Sequence, residues 1–189
     1  MVRGARMEIP FDIVVATDVE GGIGKAGRLP WHLSADLKHF KELTSLTQDK
    51  DKRNVVIMGR KTWESLPKEF RPLRHRINCV LTRNKDFMGA PGVLKKNSLD
   101  ALFHHLQEIH DQFERVFVIG GSEIFAQTIG SRNCRKIYLT RILEKFDCDV
   151  FFPSLKGWGK ESQSPVFAGQ SLRYCFEQYI RNSSSKSAF

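Results

Sequence analysis

No stretch of this sequence is long and apolar enough to suggest a membrane span or a secretory leader. The longest apolar run near the N-terminus, Ile13 to Ala16, sits between Asp12 and Asp18. Neither a membrane nor export is expected, and the cytoplasm is the expected location. Cysteine is scarce: Cys79, Cys134, Cys148 and Cys175 are far apart, with no CxxC pair and no histidine at metal-ligand spacing. That excludes a zinc-binding reading, leaves the metal site as none, and points to reduced thiols. Thirty Lys and Arg against 21 Asp and Glu give a net charge of +9, but no long basic run is interleaved with aromatics. A basic total alone does not make a nucleic-acid interface, and a phosphate-rich small ligand would use the same charge. No internal repeat is present either. What remains is 189 residues, 41% hydrophobic, which fits one domain over 1–189 with its core at about 9–181 and loose termini at 1–8 and 182–189.

Apolar runs and turn residues order the chain. Phe11 to Thr17 reads as a buried strand and the Gly-rich segment Glu20 to Pro30 as a loop. Ser34 is expected to cap a helix running to about Thr44. A strand at Asn54 to Met58, a short helix at Lys61 to Leu66 and a strand at Arg76 to Thr82 follow. Ser98 caps a helix at Leu99 to Ile109, Val116 to Ile119 is a short apolar strand, and a helix starts at Ser122. Strands near Lys136 to Ile142 and Arg173 to Arg181 complete the chain. This alternation predicts an α/β domain whose early strands are parallel, with helices on both faces and an antiparallel last strand at the edge.

One charge is out of place. At 100° per residue, Leu33, Leu37, Phe40, Leu43 and Thr44 share one side of the first helix and Lys38, Lys41 and Glu42 the other, yet Asp36 falls between Phe40 and Leu43. An ionised carboxylate there needs a partner. It meets a buried Arg, caps a neighbouring turn, or grips a ligand.

Ligands of open α/β sheets bind beyond the carboxyl ends of strands. Three such ends carry glycine, hydroxyl or guanidinium: Gly59-Arg60-Lys61-Thr62, Thr82-Arg83, and Gly120-Gly121-Ser122. Missing Cβ atoms and free backbone N–H groups there suit an extended phosphate site. A fourth glycine cluster misleads. Gly22-Ile23-Gly24-Lys25-Ala26-Gly27 matches GxGxxG, but Pro30 and the absence of an apolar period exclude the helix a Rossmann fingerprint requires. These glycines make a mobile loop, which can serve as a lid.

Gly22-Ile23-Gly24, Leu29-Pro30-Trp31, Asp36 five residues after that Trp, and Met58-Gly59-Arg60-Lys61-Thr62-Trp63 then occur in an order already familiar. So do Arg71-Pro72-Leu73, Arg76-Ile77-Asn78, Ile119-Gly120-Gly121-Ser122, Tyr138-Leu139-Thr140-Arg141, and Asp149 before Phe151-Phe152-Pro153. From about Ile9 to Tyr179 the chain resembles the dihydrofolate reductases. The resemblance implies a central, mostly parallel eight-stranded sheet, with NADPH and dihydrofolate meeting in a cleft and the product tetrahydrofolate serving one-carbon metabolism. It implies that Asp36 grips the pterin, with Leu29 and Thr140 beside it as catalytic positions, Thr140 orienting the carboxylate. Val14, Val15, Leu37, Phe40, Leu66, Leu73 and Ile119 would line the substrate, and Arg76 would pair with the α-carboxylate of its glutamate tail.

For the cofactor, the resemblance implies Ala16, Ile23, Gly24, Gly27, Arg28 and Leu29 around the nicotinamide. Gly59, Arg60, Lys61, Thr62, Leu81, Thr82 and Arg83 would hold its phosphates and ribose, and Gly120, Gly121, Ser122, Glu123, Ile124 and Phe125 the pyrophosphate side. Arg60 and Arg83 favour NADPH over NADH. Antifolate inhibitors are implied ligands, and a fusion to, or association with, thymidylate synthase is an implied partnership. Three positions depart from the pattern: Phe125 replaces a common Tyr, Arg28 a common Asp or Asn, and Phe70 a residue often polar in animal members. Two other readings compete, a riboflavin-pathway reductase on the same fold and a catalytically silent binding domain. The combination of Asp36 and Arg76 in one sequence speaks against the first and an intact Asp36 against the second.

Overall fold

The computed structural model describes residues 8–169 and 172–182, so the expected loose ends, except Glu8 and Asn182, lie outside the described residues. In its first half the chain forms β1 (Phe11–Thr17), β2 (Gly22–Gly24), α1 (Ser34–Ser45), β3 (Arg53–Gly59), α2 (Arg60–Ser65), a 3-10 turn at Lys68–Phe70, β4 (Arg76–Leu81) and β5 (Leu94–Lys96). The second half gives α3 (Leu99–Glu108), a 3-10 turn at His110–Gln112, β6 (Phe113–Gly120), α4 (Ser122–Thr128), β7 (Cys134–Ile142), β8 (Val150–Phe151), β9 (Trp158–Gln163), β10 (Phe167–Ala168) and β11 (Arg173–Arg181).

The main sheet runs β10-β11-β7-β1-β6-β3-β4-β5, with β9 also paired to β11. Its nine strands occupy eight positions. Residues 158–163 pair with 177–181 and residues 167–168 with 173–174, so β9 and β10 follow one another along the outer side of β11. All pairs from β7 through β1, β6, β3 and β4 to β5 are parallel, and β11 is antiparallel to β7. This is the α/β architecture expected from the sequence, with one correction. The antiparallel strand β11 is not at the edge, because the polar run Trp158–Gln163 covers it. That run is exposed along most of its length and so carries no apolar alternation to betray a strand.

Alternate residues of the central strands point to opposite faces, and each face has its own core. On one, Phe11, Ile13, Val55, Ile57, Ile77, Cys79, Val116 and Val118 meet Leu102 and Leu106 of α3 and Ile124 and Phe125 of α4. On the other, Val14, Val56, Met58, Val80 and Phe117 meet Trp63 of α2, with Phe40 and Leu43 of α1 packed against them. Each fully buried Leu, Ile or Phe contributes roughly 1.5–3 kcal/mol of transfer free energy to this two-sided arrangement. The start of α3 follows expectation, since the Ser98 hydroxyl accepts from the Ala101 N–H at 3.2 Å. The start of α1 does not. Ser34 is already helical, Leu33 precedes it, and the Ser34 hydroxyl meets His32 Nε2 at 3.3 Å instead of a backbone N–H. No helix among the described residues is long and apolar enough to cross a membrane.

Candidate active site

Helix α1 lies over the face formed by Val14, Val56 and Phe117 and presents Asp36 in its first turn. Lys38, Lys41 and Glu42 point outward, and Leu33, Phe40, Leu43 and Thr44 inward, as their spacing predicts. Leu37 is the exception at 49% exposure, which suits the wall of an open cleft better than a core position. Among the described residues no Lys or Arg side chain pairs with Asp36, and no backbone group is capped by it, so neither structural explanation of this carboxylate holds. Burial pushes its carboxyl above the ordinary value, while the Thr140 hydroxyl and then His39 pull it back part of the way. Thr140 arrives there through register: it lies beside Ala16 of β1 and opposite Phe176 of β11.

Arg76 opens β4 beneath the far end of the same helix. It is only 8% exposed, yet its guanidinium meets no carboxylate among the described residues. Nε donates to the Arg74 carbonyl at 3.0 Å and Nη1 to the Thr44 hydroxyl at 2.8 Å, while the Phe40 ring lies 5.7 Å from the guanidinium carbon. Burial drops its pKa to about 10. Asn78 builds the turn that delivers it: its amide accepts from the Leu73 N–H at 2.9 Å and donates to the Leu73 and Arg76 carbonyls at 2.9 and 3.0 Å. Eight residues of α1 separate Asp36 from Thr44, about 12 Å at the helical rise. The cleft floor is thus bounded by a carboxylate at one end and an unpaired buried cation at the other.

The glycine and basic turns meet at the carboxyl ends of β6, β3 and β4, which are neighbours in the sheet. Gly120 has φ +126°, open to glycine, and a Cβ at Gly121 would come 3.2 Å from Thr62 Oγ1. The backbone of this turn is therefore free of side-chain bulk where Thr62 faces it, and the Gly120–Gly121 peptide is cis. Lys61 and Arg83 are exposed. Arg60 is engaged, since its guanidinium chelates Glu64 at 2.7 and 2.8 Å, and an anion must compete with that carboxylate. The donor set and bare backbone fit an elongated polyanion.

The Gly-rich segment is more structured than the loop expected. Gly22–Gly24 pairs with β8, and fully buried Asp18 anchors it by accepting from the N–H groups of Glu20, Gly22 and Phe146 at 2.9, 2.7 and 3.0 Å. Beyond the strand, the Ala26 N–H donates to Asp149 at 2.9 Å and Lys25 pairs with Asp147 at 3.0 Å. Ala26, Gly27 and Arg28 then face Lys61, Glu64, Ser65 and Pro67 across a cavity of about 550 Å³. Leu29 stays 49% exposed.

Most of the expected residues converge on this cleft face. Val14 and Leu73 are buried in its floor, with Leu66 and Ile119 packed alongside. Val15 and Leu81 do not join them: their side chains are buried in the α3 and α4 core, as are those of Ile124 and Phe125, and Ile23 packs against that core. Phe125 lies edge-on to Phe152, ring centroids 5.0 Å apart. Val15 and Leu81 can still offer backbone to a ligand, since strand alternation turns only their side chains away, whereas the Phe125 ring on α4 lies beside the double-glycine turn, 3.5 Å from where a Cβ at Gly120 would be. Asn78 and Thr44 hold Arg76, and Asp18 the Gly-rich segment, through contacts that only the folded chain makes, and sequence reading did not single them out.

Comparison with known proteins agrees with this geometry. The dihydrofolate reductase family model matches residues 10–181. The chain is 42% identical over 184 residues to bifunctional dihydrofolate reductase-thymidylate synthase 1 of Arabidopsis thaliana, covering 93% of this chain and 35% of that protein. It is 40% identical over 148 residues to a dihydrofolate reductase of Aedes albopictus, covering 77% of this chain and 80% of the relative. A dihydrofolate reductase of Drosophila melanogaster is 38% identical over 146 residues, with the same coverages. The chain thus spans about a third of the bifunctional plant relatives it matches. Matching the family model over nearly its whole length and covering four fifths of a relative 40% identical to it, the chain belongs to the dihydrofolate reductase family.

Proposed function

We propose that the chain reduces 7,8-dihydrofolate to tetrahydrofolate with NADPH. The observation that carries this reading is the cleft along α1, which offers a carboxylate to a hydrogen-bond-donating, cationic ring at one end and a buried, anion-free guanidinium to a carboxylate tail at the other. Few ligands satisfy both ends, and a folate does. Gly120, Gly121, Thr62, Lys61, Thr82, Arg83 and Arg60 would hold the cofactor's phosphates, with Arg60 and Arg83 favouring the 2′-phosphorylated form. NADPH, when bound, supplies the hydride that C6 of the pterin receives.

The chain's own residues orient and polarise. Asp36, held by Thr140, grips the amino side of the pterin and stabilises the protonated ring electrostatically. N5 must gain a proton in the same reaction, and with Asp36 engaged at the amino side of the ring, water carries that proton once the ring's basicity is raised. Arg76 fixes the tail and thereby the ring's position along the cleft. The names of the plant relatives support a second proposal, that such a domain works alongside a thymidylate synthase within one longer protein.

The test is loss of NADPH absorbance on adding dihydrofolate, run beside NADH and beside Asp36→Asn. Turnover should prefer NADPH. The variant should keep its fold and cofactor binding, lose hydride transfer at neutral pH by orders of magnitude, and recover as acid protonates the substrate. Near wild-type turnover of Asp36→Asn at neutral pH would remove Asp36 from the mechanism.

A further inference from the structure

Asp36 has an ionisable neighbour that the reading so far leaves unused. His39 lies three residues on, so the two side chains emerge from adjacent positions on α1. The His39 imidazole lies against the Phe176 ring, centroids 4.1 Å apart and planes inclined by 33°. Phe176 stands opposite Thr140 in the β11–β7 register, and the Thr140 hydroxyl acts on Asp36. His39, Phe176, Thr140 and Asp36 therefore form a chain of neighbours from helix to strand and back, its two ends three residues apart on α1.

We propose that His39 is a second ionisable group of this site, a positioning residue whose positive charge supports the ionised form of Asp36 and so shifts the pH range over which the cleft accepts a cationic ring. The inference rests on the assignment of Asp36 to the pterin. Its electrostatics follow from the surroundings of the imidazole. On its own helix it faces Asp36 and Glu42. From the strands it meets aromatic groups only, Phe176 and behind it Phe167 and Tyr174, whose ring centroids lie 6.0 and 5.5 Å from that of Phe176. The Tyr174 phenol is the one titratable group among these. Glu177, next to Phe176 on β11, alternates to the opposite face and is held by Lys160, Arg141 and Tyr179. Burial lowers the imidazole's pKa, and Asp36 and then Glu42 oppose that without overcoming it.

Two carboxylate–imidazole consequences follow. A protonated His39 keeps Asp36 ionised in mild acid, the coupled behaviour of an interacting pair. A cationic ring docked on Asp36 then cancels the charge that supports the imidazolium, so binding in mild acid, where Asp36 is still ionised, releases a proton from His39.

The experiment measures affinity for a 2,4-diaminopyrimidine antifolate against pH, kept below the ligand's own pKa so that it is cationic throughout, on wild type, His39→Phe and Asp36→Asn. Phenylalanine preserves the stacking on Phe176. Going into acid, wild-type affinity should begin to fall where His39 takes up its proton, at a higher pH than in His39→Phe, which stays level until Asp36 itself is protonated and then falls about tenfold per pH unit. NMR titration of the His39 ring in wild type gives a reading that does not depend on a variant folding: saturating ligand should lower its midpoint. An affinity that begins to fall at the same pH in wild type and His39→Phe, or a His39 midpoint unmoved by ligand, overturns the proposal. Equal affinity of wild type and Asp36→Asn would instead overturn the assignment of Asp36, so the two failures are told apart.

Discussion

A buried cation held without an anion is costly to the free protein, and Arg76 offers a direct measure of that cost. Holding its pKa at about 10 against an ordinary 12.5 corresponds to roughly 3 kcal/mol of unfavourable burial. Its two hydrogen bonds, to the Thr44 hydroxyl and the Arg74 carbonyl, return part of this. Replacing Arg76 with Met keeps the hydrophobic stem over Phe40 and removes the charge. Thr44 keeps its own bond to the Phe40 carbonyl at 2.7 Å, so only the Arg74 carbonyl is left short, at about 1 kcal/mol. Urea unfolding of ligand-free Arg76→Met should therefore show unchanged stability or a gain of about 1–2 kcal/mol. Because the lowered value still lies near 10, the guanidinium is charged at neutral pH and the gain should not vary between about pH 6 and 8. Dihydrofolate should pay in the other direction. Losing one partner of a desolvated charge pair costs about 2–5 kcal/mol, or about 30-fold to several thousand-fold in KM, while a dihydropterin without a glutamate tail should scarcely change. A ligand-free variant less stable than wild type by more than about 1 kcal/mol, with equal losses for both substrates, would make Arg76 a structural tie between β4 and α1.

Neutralising Arg60 and Arg83 together should weaken NADPH far more than NADH and flatten the salt dependence of NADPH binding; an unchanged ratio of the two KM values would remove both from the phosphate site. Because Arg60 already chelates Glu64, Glu64→Gln should strengthen NADPH binding modestly, and a weaker complex would refute that competition. Glu177 lies in the sheet beside Lys160, Tyr179 and Arg141. Burial alone would raise its pKa, but those partners outweigh it and hold it below the ordinary 4.5. A carboxylate lowered in this way stabilises the fold above its unfolded pKa and loses that contribution as pH falls through its folded one. Glu177→Gln should cost about 3 kcal/mol or more at neutral pH and abolish the corresponding part of the acid loss in thermal melts, whereas a variant whose stability still parallels wild type down to acid pH would remove Glu177 from that linkage.

The parallel heart of the fold is legible because its strands are buried on both sides and read as unbroken apolar runs such as Val55 to Met58. β5, β8, β9 and β10 are short or polar and half-exposed, so nothing in their composition separates them from loops. Asp36 and the double glycine stand out for the same physical reason: each violates what its position would otherwise demand, a charge on an apolar face and two missing Cβ atoms at a helix start. Arg76 and Thr140 needed the resemblance, since an Arg before a strand and a Thr within one are ordinary. His39, Asn78 and Asp18 gave no local signal at all. Their importance comes from partners such as Phe176, the turn at Leu73 and the backbone at Phe146, which only the folded chain brings near.

Strand alternation, finally, divides the protein's tolerance to change. Along β1, for example, Val14 looks toward the cleft and Ile13 and Val15 toward α3 and α4, so adjacent codons answer to different selective pressures. A population adapting to a cleft-filling inhibitor can vary the first set while the second preserves solubility and lifetime in the cell. Compensating changes that restore a weakened variant should accumulate in the far core, one residue along the strand from the substitutions they rescue and on the opposite side of the sheet.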